Sequence, residues 1–306
     1  MSDLIDLVRA ELAIPVDPRA AAMAAAIAAQ YPGSARAVLF YGSCLRESEL
    51  DGLMLDFYLI VSDYSDAYPK RWMAVANRLI PPNVFPFHHG GLIAKYAVLS
   101  EKDFELLNSG EASNVSVWAR FAQPSRLVWS VDHVAADRVI AAVAEAPVTL
   151  FELTTPVMVP GEPIGPIDIW RAGFGLTYQA ELRAERGGRS VSIVDADLDR
   201  YERFAWATLA EIAKRRGVGP NGEVSNTFHP DAARRRWGQL RRRGKALSIA
   251  RLAKASLTYA GGIDYLAWKI NRHAGTKIEI KPWQRRWPLV AALTLVPRLM
   301  KSGAIR

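Results

Sequence analysis

One cysteine, Cys44, is all the thiol that this 306-residue chain contains. It cannot close an internal disulfide or build a thiolate metal cluster, so zinc fingers and redox pairs are excluded and a reducing compartment is expected. Long apolar runs are missing too. The longest near-continuous one, Trp287 to Pro297, is about half of the roughly 20 residues that span a bilayer, and no positive stretch followed by an apolar one marks the N-terminus. The expectation is a chain neither secreted nor integral to a membrane. Acids are scarce in one place. Residues 231–306 hold three of them (Asp231, Asp264, Glu279) against 18 Lys and Arg, a balance of +15 that leaves −7 for the first 230 residues. One end of the molecule therefore seeks a polyanion, either nucleic acid or an anionic lipid surface, and charge alone does not choose between them. Half of the chain is apolar, enough for a sizeable core, which excludes disorder for most of it.

Helical and strand patterns alternate in residues 1–150. Ser2 to about Gln30 is helical, with Leu4, Leu7 and Val8 on one face, then Ala20–Ala29, closed by Pro32-Gly33. Two helices are expected before the first strand. Ala37–Tyr41, Leu53–Val61, Leu92–Ser100 and Arg126–Ser130 are apolar runs that read as buried strands, with helical segments at Lys70–Leu79 and Glu101–Leu107. The fold class expected is α+β with a mostly buried sheet. Pro156–Pro166 reads as a linker into a helical part, 151–230, with helices from Ile167 to about Glu185 and from Leu198 to Arg216 separated by Gly187-Gly188. The basic region 231–306 holds an amphipathic segment, Ala246–Tyr259, a Gly261-Gly262 break and a helix from Asp264 to His273. That helix has its acid in the first turn and Lys269, Arg272 and His273 in the last, as the helix dipole favours.

Tyr41-Gly42-Ser43 closes the first strand, and Asp56 interrupts the second. A strand ending in Gly-Ser lets a triphosphate approach the backbone, with amide N–H groups and a hydroxyl to hold its oxygens. An aspartate on the neighbouring strand can hold the Mg²⁺ that neutralises those oxygens during nucleotidyl transfer. This is the arrangement of the polymerase-β-like nucleotidyltransferases. The alternative is a plain turn and an ordinary strand residue, and the cost of a buried carboxylate between Leu55 and Phe57 tilts against it. The generic pattern has a second acid two residues on, where this chain has Tyr58; Asp51, Asp63 or a distant carboxylate is left to complete a metal site. Lys95, beside Ala97 and Leu99 on one face of the third run, is either an ammonium seeking an anion or an edge-strand lysine reaching solvent. Arg120 is either a phosphate ligand or a surface arginine. His88-His89 lacks a third metal ligand and is assigned to a loop, and Cys44 is assigned as a small residue beside the phosphate loop.

Taken in order, Tyr41-Gly42-Ser43, Met54-Leu55-Asp56-Phe57, Ile93–Ser100 and Arg120-Phe121-Ala122-Gln123-Pro124 resemble the mitochondrial-type phosphatidate cytidylyltransferases. These are peripheral CDP-diacylglycerol synthases, also described as translocator assembly and maintenance proteins. That family has Tyr-Gly-Ser, an aspartate in an apolar strand without the second acid, a Lys-Tyr-Gly-Val-Ile-Ser-like strand, and an Arg followed by a Pro. Cys44 and Ala97 stand where the family has Gly, and Arg251–Trp268 is weakly similar to its C-terminal glycine-pair segment. The resemblance implies a nucleotidyltransferase domain (1–150), a helical winged-helix-like domain (151–230) and a membrane-associating region (231–306). The reaction implied is CTP plus phosphatidic acid to CDP-diacylglycerol and pyrophosphate, with Mg²⁺. In that reading Tyr41, Gly42, Ser43, Lys95 and Arg120 bind the nucleotide and phosphates, Asp56 holds the metal, and Asp56 and Lys95 are catalytic.

The basic region fits such a substrate. Arg234–Arg236, Arg241, Arg242, Arg243 and Lys245 form a polybasic cluster, each charge worth on the order of 1 kcal/mol at an anionic leaflet, and Trp237, Trp268, Trp283 and Trp287 suit an interface. Arg241, Arg242, Arg243, Lys245, Trp283 and Trp287 are the expected membrane-binding residues, nucleic acid is disfavoured as a partner, and the location implied is peripheral on the cytoplasmic face of an inner membrane, or the matrix side in a mitochondrion. Two competing readings are a nucleotidyltransferase acting on RNA, a small molecule or a protein, in which the basic region binds nucleic acid by counterion release, and an inactive nucleotide- or membrane-binding module.

Overall fold

Alternation along each apolar run divides its side chains between two faces of a sheet, and here both faces are covered. In the computed structural model, which describes residues 3–47, 49–158, 164–181, 193–217, 230–258 and 280–282, five strands form one sheet. They are β1 (Ala35–Tyr41), β2 (Met54–Val61), β3 (Asn83–His89), β4 (Leu92–Ser100) and β5 (Ser125–Ser130), in the order β3-β4-β2-β1-β5. β2 and β4 are parallel and the other neighbours antiparallel. Helices α1 (Leu4–Leu12) and α2 (Pro18–Ala29) precede the sheet, as expected. α2 buries Ala20, Met23, Ala24 and Ile27 with Val38, Phe40, Phe57 and Leu59 on one face. Leu39, Tyr58, Ile60, Ala97 and Leu99 point the other way, into a cluster shared with α1, α5 (Glu101–Asn108), α6 (Trp118–Phe121) and α7 (His133–Thr154). The chain is α+β.

β3 is a strand where the sequence reads as a loop. Pro86 in its middle demotes the run Val84–Phe87, but β3 is the edge of the sheet, where a missing N–H costs nothing. His88 and His89 are therefore exposed strand-end residues paired with Ile93 and Leu92, not loop residues. Between β2 and β3 lie α3 (Tyr64–Ala67) and α4 (Arg71–Leu79).

The remaining regular structure is helical. α8 (Pro166–Ala180) starts on Pro166 and ends five residues before the expected Glu185; α9 is Leu198–Arg215; α10 runs from Pro230 to Thr258. The polybasic cluster and the amphipathic segment after it are thus one helix. Gly187-Gly188, Gly261-Gly262, Asp264–His273 and Trp287–Pro297 lie outside the described residues. Residue 150, the expected domain division, falls inside α7, and Leu4, Leu39, Phe151, Trp170, Tyr201 and Leu240 belong to one hydrophobic cluster. Trp170 is its centre: fully buried, it packs on Phe151, Phe174 and Tyr201 and donates from Nε1 to Tyr201 O at 2.9 Å. α1 is tied to α9 by a buried ion pair, Arg200 Nε to Glu11 Oε2 at 2.5 Å and Nη2 to Oε1 at 2.9 Å. The two-pronged geometry satisfies both partners, and removing either leaves a buried charge at a cost of about 3–5 kcal/mol. Among the described residues no helix is long and apolar enough to cross a membrane.

Candidate functional site

The two charges that interrupt the apolar runs fall opposite each other. β-Register pairs Tyr41 with Asp56 and Asp56 with Lys95, so the end of β1, the start of β2 and the interior strand β4 present these side chains on one rung of the sheet. They lie on the face of Tyr58, Ala97 and α6. Lys95 Nζ stands 3.0 Å from Asp56 Oδ1. β4 has neighbours on both sides, so Lys95 is not an edge lysine.

A cavity of about 410 Å³ opens over this rung, lined by Tyr41, Gly42, Ser43, Asp56, Lys95 and Arg120, and further by Tyr58, Pro82, Gln123, Pro124, Tyr178 and Arg251. All six nucleotide- and metal-site residues named from the sequence border one space, whose volume is in the range of small-molecule sites. Gly42 allows its approach. Its φ of +97° is a backbone conformation that side-chain-bearing residues rarely adopt, and a Cβ built on it would lie 3.4 Å from Asp56 Oδ2. Ser43, exposed, starts the 3₁₀ turn Ser43–Arg46 directly after it. Cys44 is buried beneath, donating to Met54 O at 3.5 Å; burial first and Asp56 second push its thiol pKa up, so it remains a small neutral packing residue.

Tyr58 fills the second-acid position with a ring, 5.2 Å from those of Tyr41 and Phe121 and only 2% exposed. Burial and then Asp56 raise the Tyr41 pKa well above its usual value, so its phenol stays neutral. Asp51 and Asp63 do not complete the site. Asp51 pairs with Arg19 at 2.9 Å; Asp63 caps α3 through Ser65 N at 2.8 Å and pairs with Arg78 at 2.7 Å. Among the described residues no three His, Cys, Asp or Glu side chains gather around a metal position. The donor set nevertheless fits Mg²⁺, which is commonly bound through one or two carboxylates with substrate phosphates and waters. Asp56 Oδ1 is buried, lies 3.0 Å from Lys95 Nζ, and accepts no further hydrogen bond among the described residues.

Arg120 is partly exposed and held by its own turn. Its Nη1 donates to Ser116 O and lies 3.7 Å from Glu181 Oε1. Burial works to lower its pKa, but Tyr58, Glu181, Tyr41 and Asp56 outweigh burial and raise it, fixing a positive charge in the cavity wall.

Arg251 was not singled out from the sequence. It comes from α10, whose buried positions Ala233, Trp237, Leu240 and Gly244 recur at helical spacing. Continued by one heptad, that stripe reaches Arg251, and three residues on, Lys254. The mixed chemistry of the stripe hides it from a hydrophobic pattern. Arg251 Nε donates to Pro81 O at 2.7 Å and Nη1 to Ser116 Oγ at 2.7 Å; Lys254 Nζ donates to Ile80 O and to Pro82 O, the latter at 2.8 Å. Burial, then Arg251, lower the Lys254 pKa to about 7.

The expected membrane residues divide. Arg241, Arg242, Arg243 and Lys245 are exposed on α10, whereas Gly244 between them is buried against α8. Trp283, Trp287 and Trp268 lie outside the described residues. Trp237 is not an interfacial residue: it is 3% exposed, donates from Nε1 to Leu153 O at 2.8 Å, and packs on Trp118 because it belongs to the buried stripe of α10. Arg236 is likewise engaged, donating to Ala112 O at 2.8 Å. Scanned against protein-family models the chain matches none, and no curated protein matches it.

Proposed function

We propose that the chain is a nucleotidyltransferase acting at a membrane surface, a phosphatidate cytidylyltransferase that converts CTP and phosphatidic acid to CDP-diacylglycerol and pyrophosphate. In this reading residues 1–150 are a polymerase-β-like nucleotidyltransferase domain and the helices after it a winged-helix-like domain. The observation that carries the reading is the meeting of Tyr41, Gly42, Ser43, Asp56, Lys95 and Arg120, drawn from four separate segments, around one cavity.

In the transfer an anionic phosphate oxygen of the acceptor attacks the α-phosphorus of the nucleotide in line; the new O–P bond forms as the bond to the β-phosphate oxygen breaks, and pyrophosphate leaves. The acceptor phosphate is ionised at pH 7, so no strong general base is required. Gly42 and Ser43 receive the triphosphate where the backbone can come close. Lys95 and Arg120 offset charge on the phosphoryl oxygens. Asp56 holds Lys95 in place and, with substrate oxygens, would hold Mg²⁺, which supplies Lewis-acid stabilisation of the leaving group.

Access to a lipid in the plane of an anionic membrane has two supports. One is the exposed basic turn Arg241–Lys245. The other is α4, whose Trp72, Val75 and Leu79 share one face and are 53%, 51% and 74% exposed, flanked by exposed Lys70 and Arg71. An exposed apolar face beside cations suits a bilayer interface. The end of α4 runs into Ile80-Pro81-Pro82, which Arg251 and Lys254 grip and which borders the cavity.

The test is release of pyrophosphate from CTP in the presence of Mg²⁺, with and without phosphatidic-acid liposomes, compared with UTP, ATP and GTP. Release that depends on both CTP and phosphatidic acid is expected. Release with RNA, a small molecule or a protein as acceptor but not with the lipid would move the chain to another nucleotidyltransferase class, and none at all would make it a binding module.

A further inference from the structure

Two guanidinium groups from distant parts of the chain meet at one residue. Arg120 on α6 donates to the carbonyl of Ser116, and Arg251 on α10 donates to its hydroxyl. Both line the cavity. Tyr58 and Glu181 act electrostatically on both, and Tyr41 and Asp56 act on Arg120 as well.

Among the described residues the charge balance at this end is short of an anion. Asp56, paired with Lys95 at 3.0 Å, and Glu181, 3.7 Å from Arg120, face the three cations Lys95, Arg120 and Arg251. Burial first, and then the charge of Arg120, lower the Arg251 pKa, as expected for a largely buried cation near a like charge. Arg251 spends Nε on Pro81 and Nη1 on Ser116; its Nη2 is buried and makes no hydrogen bond among the described residues. A buried guanidinium with an unused N–H pair is costly unless an anion completes it. Guanidinium groups present parallel N–H donors that match phosphate oxygens, which a lysine in the same place would not.

We propose that Arg120 and Arg251, joined through Ser116, form a subsite for a phosphate monoester, distinct from the Gly42-Ser43 end where the nucleotide triphosphate lies. The assignment of that monoester as the acceptor rests on the nucleotidyltransferase reading: a terminal phosphate held there carries the oxygen that attacks, and Arg120 spans acceptor and nucleotide. It also makes α10 part of the active site, since the helix that exposes Arg241–Lys245 delivers Arg251 two turns later.

Binding to the full-length protein tests this by calorimetry, with four probes: inorganic phosphate, short-chain soluble phosphatidic acid, short-chain phosphatidylglycerol as a diester control, and CTP. For Arg251→Gln we expect phosphate and phosphatidic acid to bind at least about tenfold more weakly, the loss expected for a charged hydrogen-bonding partner, with CTP affinity changed less than about threefold. Arg251→Lys, which keeps the charge and loses the fork, should fall between and serves if the glutamine variant does not fold, as judged by circular dichroism. Tighter wild-type binding of phosphatidic acid than of inorganic phosphate assigns the subsite to a lipid headgroup, and equal binding assigns it to free phosphate. Unchanged monoester affinity in both variants would overturn the subsite and leave the nucleotidyltransferase reading standing. Parallel loss of CTP and phosphate would overturn it too, placing Arg251 at the triphosphate. A wild type that binds phosphate through Arg251 but not CTP would keep the subsite and sink the nucleotide reading.

Discussion

Asp56 and Lys95 are register partners on parallel strands, and their charges meet at 3.0 Å inside the cavity. Neither is fully buried, so the pair is available to substrate. Asp56→Asn keeps the volume and removes the charge that holds Lys95 and would hold a metal. Its turnover should fall by at least about 10-fold to 100-fold, roughly 1.4–2.7 kcal/mol of transition-state stabilisation, with the circular dichroism spectrum unchanged. Retention of more than a tenth of wild-type turnover would remove Asp56 from the chemistry.

Gly244 marks where α10 crosses α8. A Cβ there would sit 2.3 Å from Ala180 O, a backbone atom that cannot rotate away. Gly244→Ala therefore has to push the two helices apart, at about 1–3 kcal/mol, although alanine is the better helix former by roughly 1 kcal/mol. Because Arg251 rides on the same helix, the variant should also lose activity out of proportion to its stability. Urea unfolding and turnover, measured together, check both; a variant as stable and active as the wild type would mean that the crossing is loose.

Much of this was legible in the sequence, and the failures have physical causes. β1, β2 and β4 announce themselves because burial on both faces makes them continuous apolar runs, and for the same reason Asp56 and Lys95 stand out as charges inside them. β3 hides because Pro86, acceptable only at the sheet edge, breaks its pattern. Trp237 reads as an interfacial side chain because it sits among arginines; only the periodic stripe through Ala233, Leu240 and Gly244 turns it inward. The same stripe ends in Arg251 and Lys254, cations whose burial depends on carbonyls at Ile80–Pro82 and on Ser116, partners that no local pattern can supply.

Lys254 gives a pH signature. Its pKa falls from 10.5 to about 7 on folding, by burial first and Arg251 second. Between those values the unfolded chain binds the proton and the folded one does not, so this residue makes stability rise with pH from about 7 upward, by at most about 1.4 kcal/mol per unit. Below about pH 7 both states carry the proton and the cost of the buried charge is complete. Lys254→Met should change the absolute stability by losing the bonds to Ile80 and Pro82, but the telling quantity is the slope. Unfolding free energies of wild type and variant, measured from about pH 6.5 to 9, should diverge in favour of the wild type as pH rises; parallel curves would mean that Lys254 folds with its ordinary pKa.

The exposed cations Arg241, Arg242, Arg243 and Lys245 allow the proposed docking to be tested apart from the proposed catalysis. Arg241, Arg242 and Arg243 face solvent and none borders the cavity, so changing all three to Glu leaves the nucleotide end of the site untouched. At an anionic leaflet each lost cation removes about 1 kcal/mol and each new acid adds repulsion, both screened over about 8 Å at physiological salt. The triple variant should sediment with anionic vesicles much less than the wild type and lose activity on vesicle-borne phosphatidic acid, while CTP affinity stays the same. Wild-type binding should weaken as salt rises but not vanish, because Trp72, Val75 and Leu79 on α4 supply an apolar contact that salt does not screen. Trp72→Ala should remove most of that salt-resistant part. Neutral vesicles are the control. Undiminished pelleting of the triple variant with anionic vesicles at physiological salt, or tighter wild-type binding to RNA than to those vesicles, would transfer the basic helix from lipid to nucleic acid.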